Sequence, residues 1–287
     1  MNHESFLVPA GKKIRLKDYD PDFTGKYKSK EDATKKLEED IRKLASLQDV
    51  LYAQDTYALL IVFQALDAAG KDGVIKHVMS GINPQGCQVV SFKAPSSEEL
   101  DHDYLWRCTK VIPPRGHIGI FNRSYYEEVL VVRVHPEILK NQKLPAGAEH
   151  KDIWEHRYEQ IRNLEHYLAD NGTVILKFFL NVSQKEQKQR FLDRIDTPEK
   201  NWKFSPDDLK ERAHWDEYME AYQEAFNHTS TTWAPWYIIP ADHKWFTRTA
   251  VADIIVRRLE GLHLSYPQVS EEQKQNLLKA KEILERE

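Results

Sequence analysis

Tyr57-Ala-Leu-Leu-Ile-Val-Phe-Gln-Ala-Leu-Asp-Ala-Ala-Gly-Lys-Asp-Gly73 decides how the rest of the chain is read. Its first ten residues, Tyr57 to Leu66, are apolar apart from Gln64, as expected of a strand covered on both faces. A turn from Asp67 to Gly73 follows, and then Val74, Ile75, Val78 and Met79 recur at helical spacing. Gly70-Lys71 therefore stands at a strand-to-helix junction. There, small residues let the backbone approach an anion, open helix amides face it, and a lysine reaches the terminal phosphates. Ala68, Ala69, Gly70, Lys71, Asp72 and Gly73 are the expected phosphate-binding stretch. The usual G-x-x-x-x-G-K-[ST] spacing is only half met, because Ala65 replaces the first glycine and Asp72 replaces the magnesium-binding hydroxyl. Asp67 inside such a loop would repel phosphate unless a cation intervened. It is accordingly the expected magnesium ligand, and the competing reading makes it a helix N-cap in an ordinary turn.

Outward from that junction the same alternation continues. Cys87–Phe92, Ile118–Phe121, Thr173–Leu180 and Trp236–Ile239 read as four further strands. Between and around them lie a helix opened by Ser29 and Asp32, one capped by Ser96 and Glu99, and one from about Ser124. Others run from about Asp152 to Ala169, stopped by Asn171-Gly172, from Ser183 with Glu186, and from Trp245 to about Leu262. A loop is expected around Pro145–Gly147. Strands separated by helical crossovers predict an α/β fold: a five-stranded parallel sheet with helices on both faces. Residues 1–28 read as an extended arm, 29–269 as one domain, and 270–287 as an exposed charged helix carrying Leu277, Leu278 and Leu284. Whether that helix packs on a partner or on the body is left open.

Ile118–Glu128 places Asn122 and Arg123 at a strand's C-terminal tip, where ligands sit in open α/β sheets. Tyr125 and Tyr126 beside them suit either base stacking or core packing. The stretch 184–212 is rich in both signs, with eight basic and seven acidic residues from Lys185 to Arg212. Arg190 and Arg194, four apart on one helix face, with Lys200 and Lys203 beyond them, read as a lid over transferring phosphates; a self-paired surface is the plainer alternative. Composition bounds the rest. The 287 residues carry 41 basic and 45 acidic side chains, a net charge of −4, which excludes nucleic-acid binding by bulk charge. The longest purely apolar run, Ala58–Phe63, is too short to span a bilayer. Two cysteines exclude a disulfide framework, none of the 12 histidines falls in a metal-binding spacing, and no leader is visible, so a cytoplasmic protein is expected.

Five motifs, LDAAGKDG (66–73), DYLWR (103–107), FNRSYYEEVLVVRV (121–134), PEKNWKFSPDDL (198–209) and TSTTWAPWYIIPAD (229–242), resemble the polyphosphate kinase 2 family and stand in its order. The resemblance covers about residues 47–262. It implies a thymidylate-kinase-like phosphate-loop core with a helical lid. It also implies magnesium-dependent phosphoryl transfer, with manganese as a possible substitute, between inorganic polyphosphate and the nucleotides AMP, ADP and ATP. The sequence Asn122-Arg123-Ser124 with Glu127 is similar to the group that accepts both AMP and ADP. On this reading Asp67 organises the metal, Lys71 and Lys203 bind phosphate, and Arg123, Arg190 and Arg194 neutralise developing charge, while Glu127 addresses the nucleotide side and Asn122 counts among the catalytic residues. Arg107, Lys110, Arg115 and Arg133 are candidates for a polymer channel, with Tyr126 for the nucleotide. Family members are often dimers or tetramers, so a homo-oligomer is expected. An ATP-dependent small-molecule kinase and a non-catalytic nucleotide-binding regulator are the competing functions.

Overall fold

The computed structural model describes residues 1–145, 147 and 152–287, so the expected loop around Pro145–Gly147 lies partly outside the described residues. Five strands, β1 (Ala58–Gln64), β2 (Cys87–Ser91), β3 (Ile118–Asn122), β4 (Thr173–Asn181) and β5 (Trp236–Pro240), form one sheet. Its order is β2-β3-β1-β4-β5 and every neighbouring pair is parallel. β1 and β4 are buried along their whole length, because both sheet faces are covered.

The helices of two turns or more are α1 (Lys30–Gln54), α2 (Lys71–Val78), α3 (Ile153–Asp170), α4 (Gln184–Ile195), α5 (Pro206–Ala213), α6 (Trp215–Thr229), α7 (Lys244–Glu260) and α8 (Glu271–Leu284). Alternate β1 side chains enter different cores. Leu59, Ile61 and Phe63 pack with residues of α1, α2 and α7, whereas Leu60 and Val62 pack with α3, α6 and the turn after β3. Ser29 accepts the Asp32 amide at the start of α1, and Ser183 accepts that of Glu186 at the start of α4. α3 ends where Gly172 takes a left-handed φ of 89°, with Thr56 O so near that a Cβ would approach it to 3.1 Å.

Two local expectations change. The segment capped by Ser96 and Glu99 is not one helix but two single turns, Ser97–Leu100 and Trp106–Thr109. The segment after Ser124 is a run of 3-10 and α turns (Tyr125–Val129, Val131–Val134, Pro136–Asn141), because Tyr125 and Tyr126 are pinned by Glu165 and Glu128 by Arg157. The N-terminal arm buries Phe6, Val8 and Leu16 and pairs with β5 through Val8 N–H to Trp236 O (2.9 Å) and Ile238 N–H to Phe6 O (2.8 Å). It thereby covers an edge strand that would otherwise stay open.

Candidate active site

The loop 65–70 joins the C-terminal tip of β1 to α2. Ala68 (φ 61°) and Gly70 (φ 109°) take left-handed backbone conformations, which turn the chain so that α2 begins at Lys71. No side chain caps α2, so its first-turn amides remain open to an anion. Asp67 is not its N-cap. It accepts a hydrogen bond from Arg123 Nη2 at 2.9 Å instead.

Arg123 follows β3 directly and is itself left-handed (φ 63°). Its amide donates to Phe63 O at 3.0 Å, which ties it to β1, and its Nη1 donates to Glu127 Oε2 at 3.3 Å. Glu127 and Asp67 together hold the guanidinium more firmly protonated than usual, against the opposing effect of burial. Lys71 Nζ donates to Ala65 O at 2.8 Å. Burial first, then the Arg123 charge, pulls its ammonium down to about 8, while Asp67 pulls the other way. At the tip of β3, Asn122 Nδ2 donates to Asp72 Oδ1 at 2.7 Å.

Two cavities meet at these residues. One, about 570 Å³, lies over the loop and α2 and is lined by Lys71, Lys93, Asn122, Arg194 and Lys203. The other, about 270 Å³, is lined by Leu66, Glu127, Glu211, Arg212 and the aromatic face Trp215, Tyr218 and Tyr222 of α6. Asp67 and Arg123 line both. The first is suited to a string of phosphates, the second to a flat apolar group with polar edges.

A family model described as polyphosphate kinase 2 matches residues 27–266. The chain belongs to the polyphosphate kinase 2 family. It is 51% identical, over 98% of both chains, to an ADP-polyphosphate phosphotransferase of Rhodopseudomonas palustris. It is 46% identical to an AMP/ADP-polyphosphate phosphotransferase of Meiothermus ruber, over 92% of this chain and 96% of that one. The crystal structure of Polyphosphate Kinase 2 from Arthrobacter aurescens TC1 matches with a TM-score of 0.86 and 40% identity over 96% of each chain. The family and the sheet together carry the phosphate-loop kinase core, and with it a phosphotransferase.

Several expected site residues are not where the motifs suggested. Arg190 is 4% exposed and lies under the loop, not over it. Its guanidinium donates to Ala68 O (3.0 Å), Ala69 O (2.8 Å), Ala241 O (2.6 Å) and Asp242 O (3.1 Å), and its Nε to Glu186 (2.8 Å). Those bonds use all the donors of an arginine, leaving none for a substrate. Arg194 and Lys203 do face the phosphate cavity.

The four channel candidates are scattered, and none lines that cavity. Arg107 is drawn inward to Lys93 O (2.7 Å), Lys110 lies 3.9 Å over the Trp106 ring, Arg133 donates to Tyr158 (2.7 Å), and Arg115 reaches Asn171 O (3.3 Å) at the opposite end of the sheet. Tyr126 is fully buried with its hydroxyl on Glu165, so it packs and does not stack on a base. Lys93, Gln187 and the α6 aromatics escaped the motif reading. Trp215, Tyr218 and Tyr222 carry a signal, since their three- and four-residue steps mark one helix face.

Proposed function

We propose that the protein transfers the terminal phosphoryl group of inorganic polyphosphate to a phosphate oxygen of AMP and of ADP, reversibly. The observation that carries this reading is the seam: Asp67 and Arg123 line both a cationic cavity over a phosphate loop and an aromatic cavity sized for a nucleoside. The polymer end would lie over the loop, with its terminal phosphorus at the seam, and the acceptor phosphate would enter from the other side. An acceptor oxygen attacks that phosphorus in line, and the bond to the next bridging oxygen breaks. The shortened polymer leaves as the anion, and no covalent enzyme intermediate is needed. Lys71 and the loop amides bind the moving group, Arg194 and Lys203 hold the chain behind it, and Arg123 neutralises charge on its equatorial oxygens. Glu127, on the acceptor side, orients the nucleotide phosphate through Arg123. The names of the Rhodopseudomonas and Meiothermus relatives support ADP, and the second supports AMP as well.

Among the described residues no three acidic, histidine or cysteine side chains gather as a metal cage. Magnesium fits this arrangement, because it is commonly held by one or two carboxylates, water and the substrate's own phosphates. Asp67 would hold it, with one oxygen already engaged by Arg123 and the other open. When bound it would supply charge neutralisation on the phosphate oxygens.

The test is a coupled assay of AMP or ADP with magnesium, with and without polyphosphate and with no ATP added. ADP from AMP and ATP from ADP, appearing only when polymer is present, is the expected result. Turnover only with ATP as donor would replace the reading by an ordinary small-molecule kinase. Nucleotide binding without turnover by any donor would leave a regulatory binding protein.

A further inference from the structure

Beneath the turn that carries Arg123 and Glu127 lies a charged cluster with no access to either cavity. Lys177, in the middle of β4, and Glu165, on α3, are both wholly buried. Lys177 Nζ donates to Glu165 Oε2 (2.7 Å), Tyr126 Oη (2.8 Å) and Thr229 O (2.8 Å), and so spends its three protons. The hydroxyls of Tyr125 and Tyr126 both donate to Glu165 Oε1 at 2.9 Å. The ammonium also lies 5.2 Å from the Tyr126 and Trp236 ring centroids. Burial pushes the Glu165 carboxyl up and pulls the Lys177 ammonium down to about 8, and each partner opposes the shift of the other.

For stability alone the arrangement is a poor choice. Desolvating two charges is costly, and apolar residues of the same volume often do as well or better. What it supplies is direction, because a charge-assisted network fixes donors and acceptors to one geometry. Its five residues come from four elements: α3, β4, the end of α6 and the turn Tyr125–Val129. Arg123 is fixed on one side by the hydrogen bond its amide donates to Phe63 O and stands just before that turn. Two residues further on, Tyr125 and Tyr126 are fixed by Glu165, and Glu127 follows at once.

We infer that the Lys177–Glu165 pair, acting through the Tyr125 and Tyr126 hydroxyls, positions Arg123 at the seam between the two cavities and Glu127 on its aromatic side. The inference rests on the phosphoryl-transfer reading above and makes the four residues positioning groups that never touch substrate. It accounts for a lysine in the centre of a buried strand, between the apolar runs 174–176 and 178–180. It also accounts for two adjacent tyrosines that neither cavity uses.

The experiment is a double-mutant cycle in the full chain. Tyr126→Phe removes one hydroxyl and keeps the ring; Lys177→Met with Glu165→Gln removes both charges and keeps bulk and a hydroxyl acceptor. Each should fold, with kcat lowered on the order of 10-fold and KM for polyphosphate little changed, as expected when a reacting group is misplaced and the binding groups are not. In an Arg123→Ala background the same changes should lose most of their effect, because the cycle reads coupling between the sites. Amide hydrogen exchange over residues 123–129 should quicken in Tyr126→Phe while β4 stays protected, a readout that needs no turnover. Folded variants with wild-type kcat, equal losses in both backgrounds, or unchanged exchange over 123–129 would overturn the inference. Inactivity of the wild type with polyphosphate would instead defeat the reading beneath it, and the exchange measurement would still decide the positioning.

Discussion

At the residue scale the charges at the seam neutralise one another before any substrate arrives. Arg123 lies between Asp67 (2.9 Å) and Glu127 (3.3 Å), and Lys71 rests on the Ala65 carbonyl (2.8 Å). These contacts hold each group near where phosphate oxygens would come, so little reorganisation is needed when they do. Lys71→Ala should then lower turnover on the order of 10²-fold or more, the cost of losing a directed donor to a transferring group. Wild-type-like turnover in that variant would remove the loop from the mechanism. The proton on Lys71 gives a second check. Its ammonium is the binding form and is pulled down to about 8, so kcat/KM should fall as pH rises through that region. Lys71→Arg, which stays charged, should retain weaker activity without that alkaline limb. Glu127 bears on the choice of acceptor. On the proposed reading ADP would reach the seam with its own second phosphate, whereas AMP would leave a gap beside Glu127 for a water or a cation. Glu127→Ala should therefore harm AMP phosphorylation more than ADP phosphorylation in parallel kinetics, and equal losses would contradict its assignment.

At the scale of elements, strands were the most legible feature, because β1 and β4 are buried on both faces and written as largely apolar runs, 58–63 and 174–180, the second interrupted by Lys177. The loop was legible through Gly70-Lys71, since few residues can stand where the chain turns left-handed in front of an open helix end. The turn after β3 was not legible. Tyr125, Tyr126, Glu127 and Glu128 have the spacing of a helix, and only Glu165 and Arg157, far along the chain, decide which of them point inward. Arg190 shows the same limit. Its place on α4, four residues before Arg194, matches a lid arginine, but whether a guanidinium reaches over or under a loop depends on tertiary carbonyls that no local pattern records. Arg190→Lys puts a single ammonium, with three donors, where five bonds are made. The loop should lose its fixed geometry, and kcat should fall on the order of 10- to 100-fold. Arg194→Ala, by contrast, should act mainly on KM for polyphosphate. Steady-state kinetics that vary the polymer at saturating nucleotide would separate the two, and identical profiles would refute the division between clamp and contact.

At the scale of the whole molecule, a chain of net charge −4 is proposed to hold a polyanion. Long-range attraction therefore cannot come from total charge, and it has to come from Lys71, Lys93, Arg194 and Lys203 gathered around one cavity. A field made by so few clustered charges is short-ranged, and at about 0.1 M salt the screening length is only about 10 Å. Successive phosphates of a polymer would each feel that screened field, whereas on the proposed reading the nucleoside would rest against Trp215, Tyr218 and Tyr222 in a cavity that also carries Asp207, Asp208 and Glu211. Raising sodium chloride from about 0.05 to 0.5 M, across which the screening length shortens about threefold, should raise KM for polyphosphate steeply and KM for the nucleotide far less. Lys93→Ala and Lys203→Ala should flatten the polymer's salt slope, since each removes one charge that the salt competes with. Initial rates at fixed magnesium and stepped sodium chloride would measure both slopes. Parallel slopes for polymer and nucleotide would mean that the two substrates share one electrostatic site, contrary to two cavities that meet at Asp67 and Arg123.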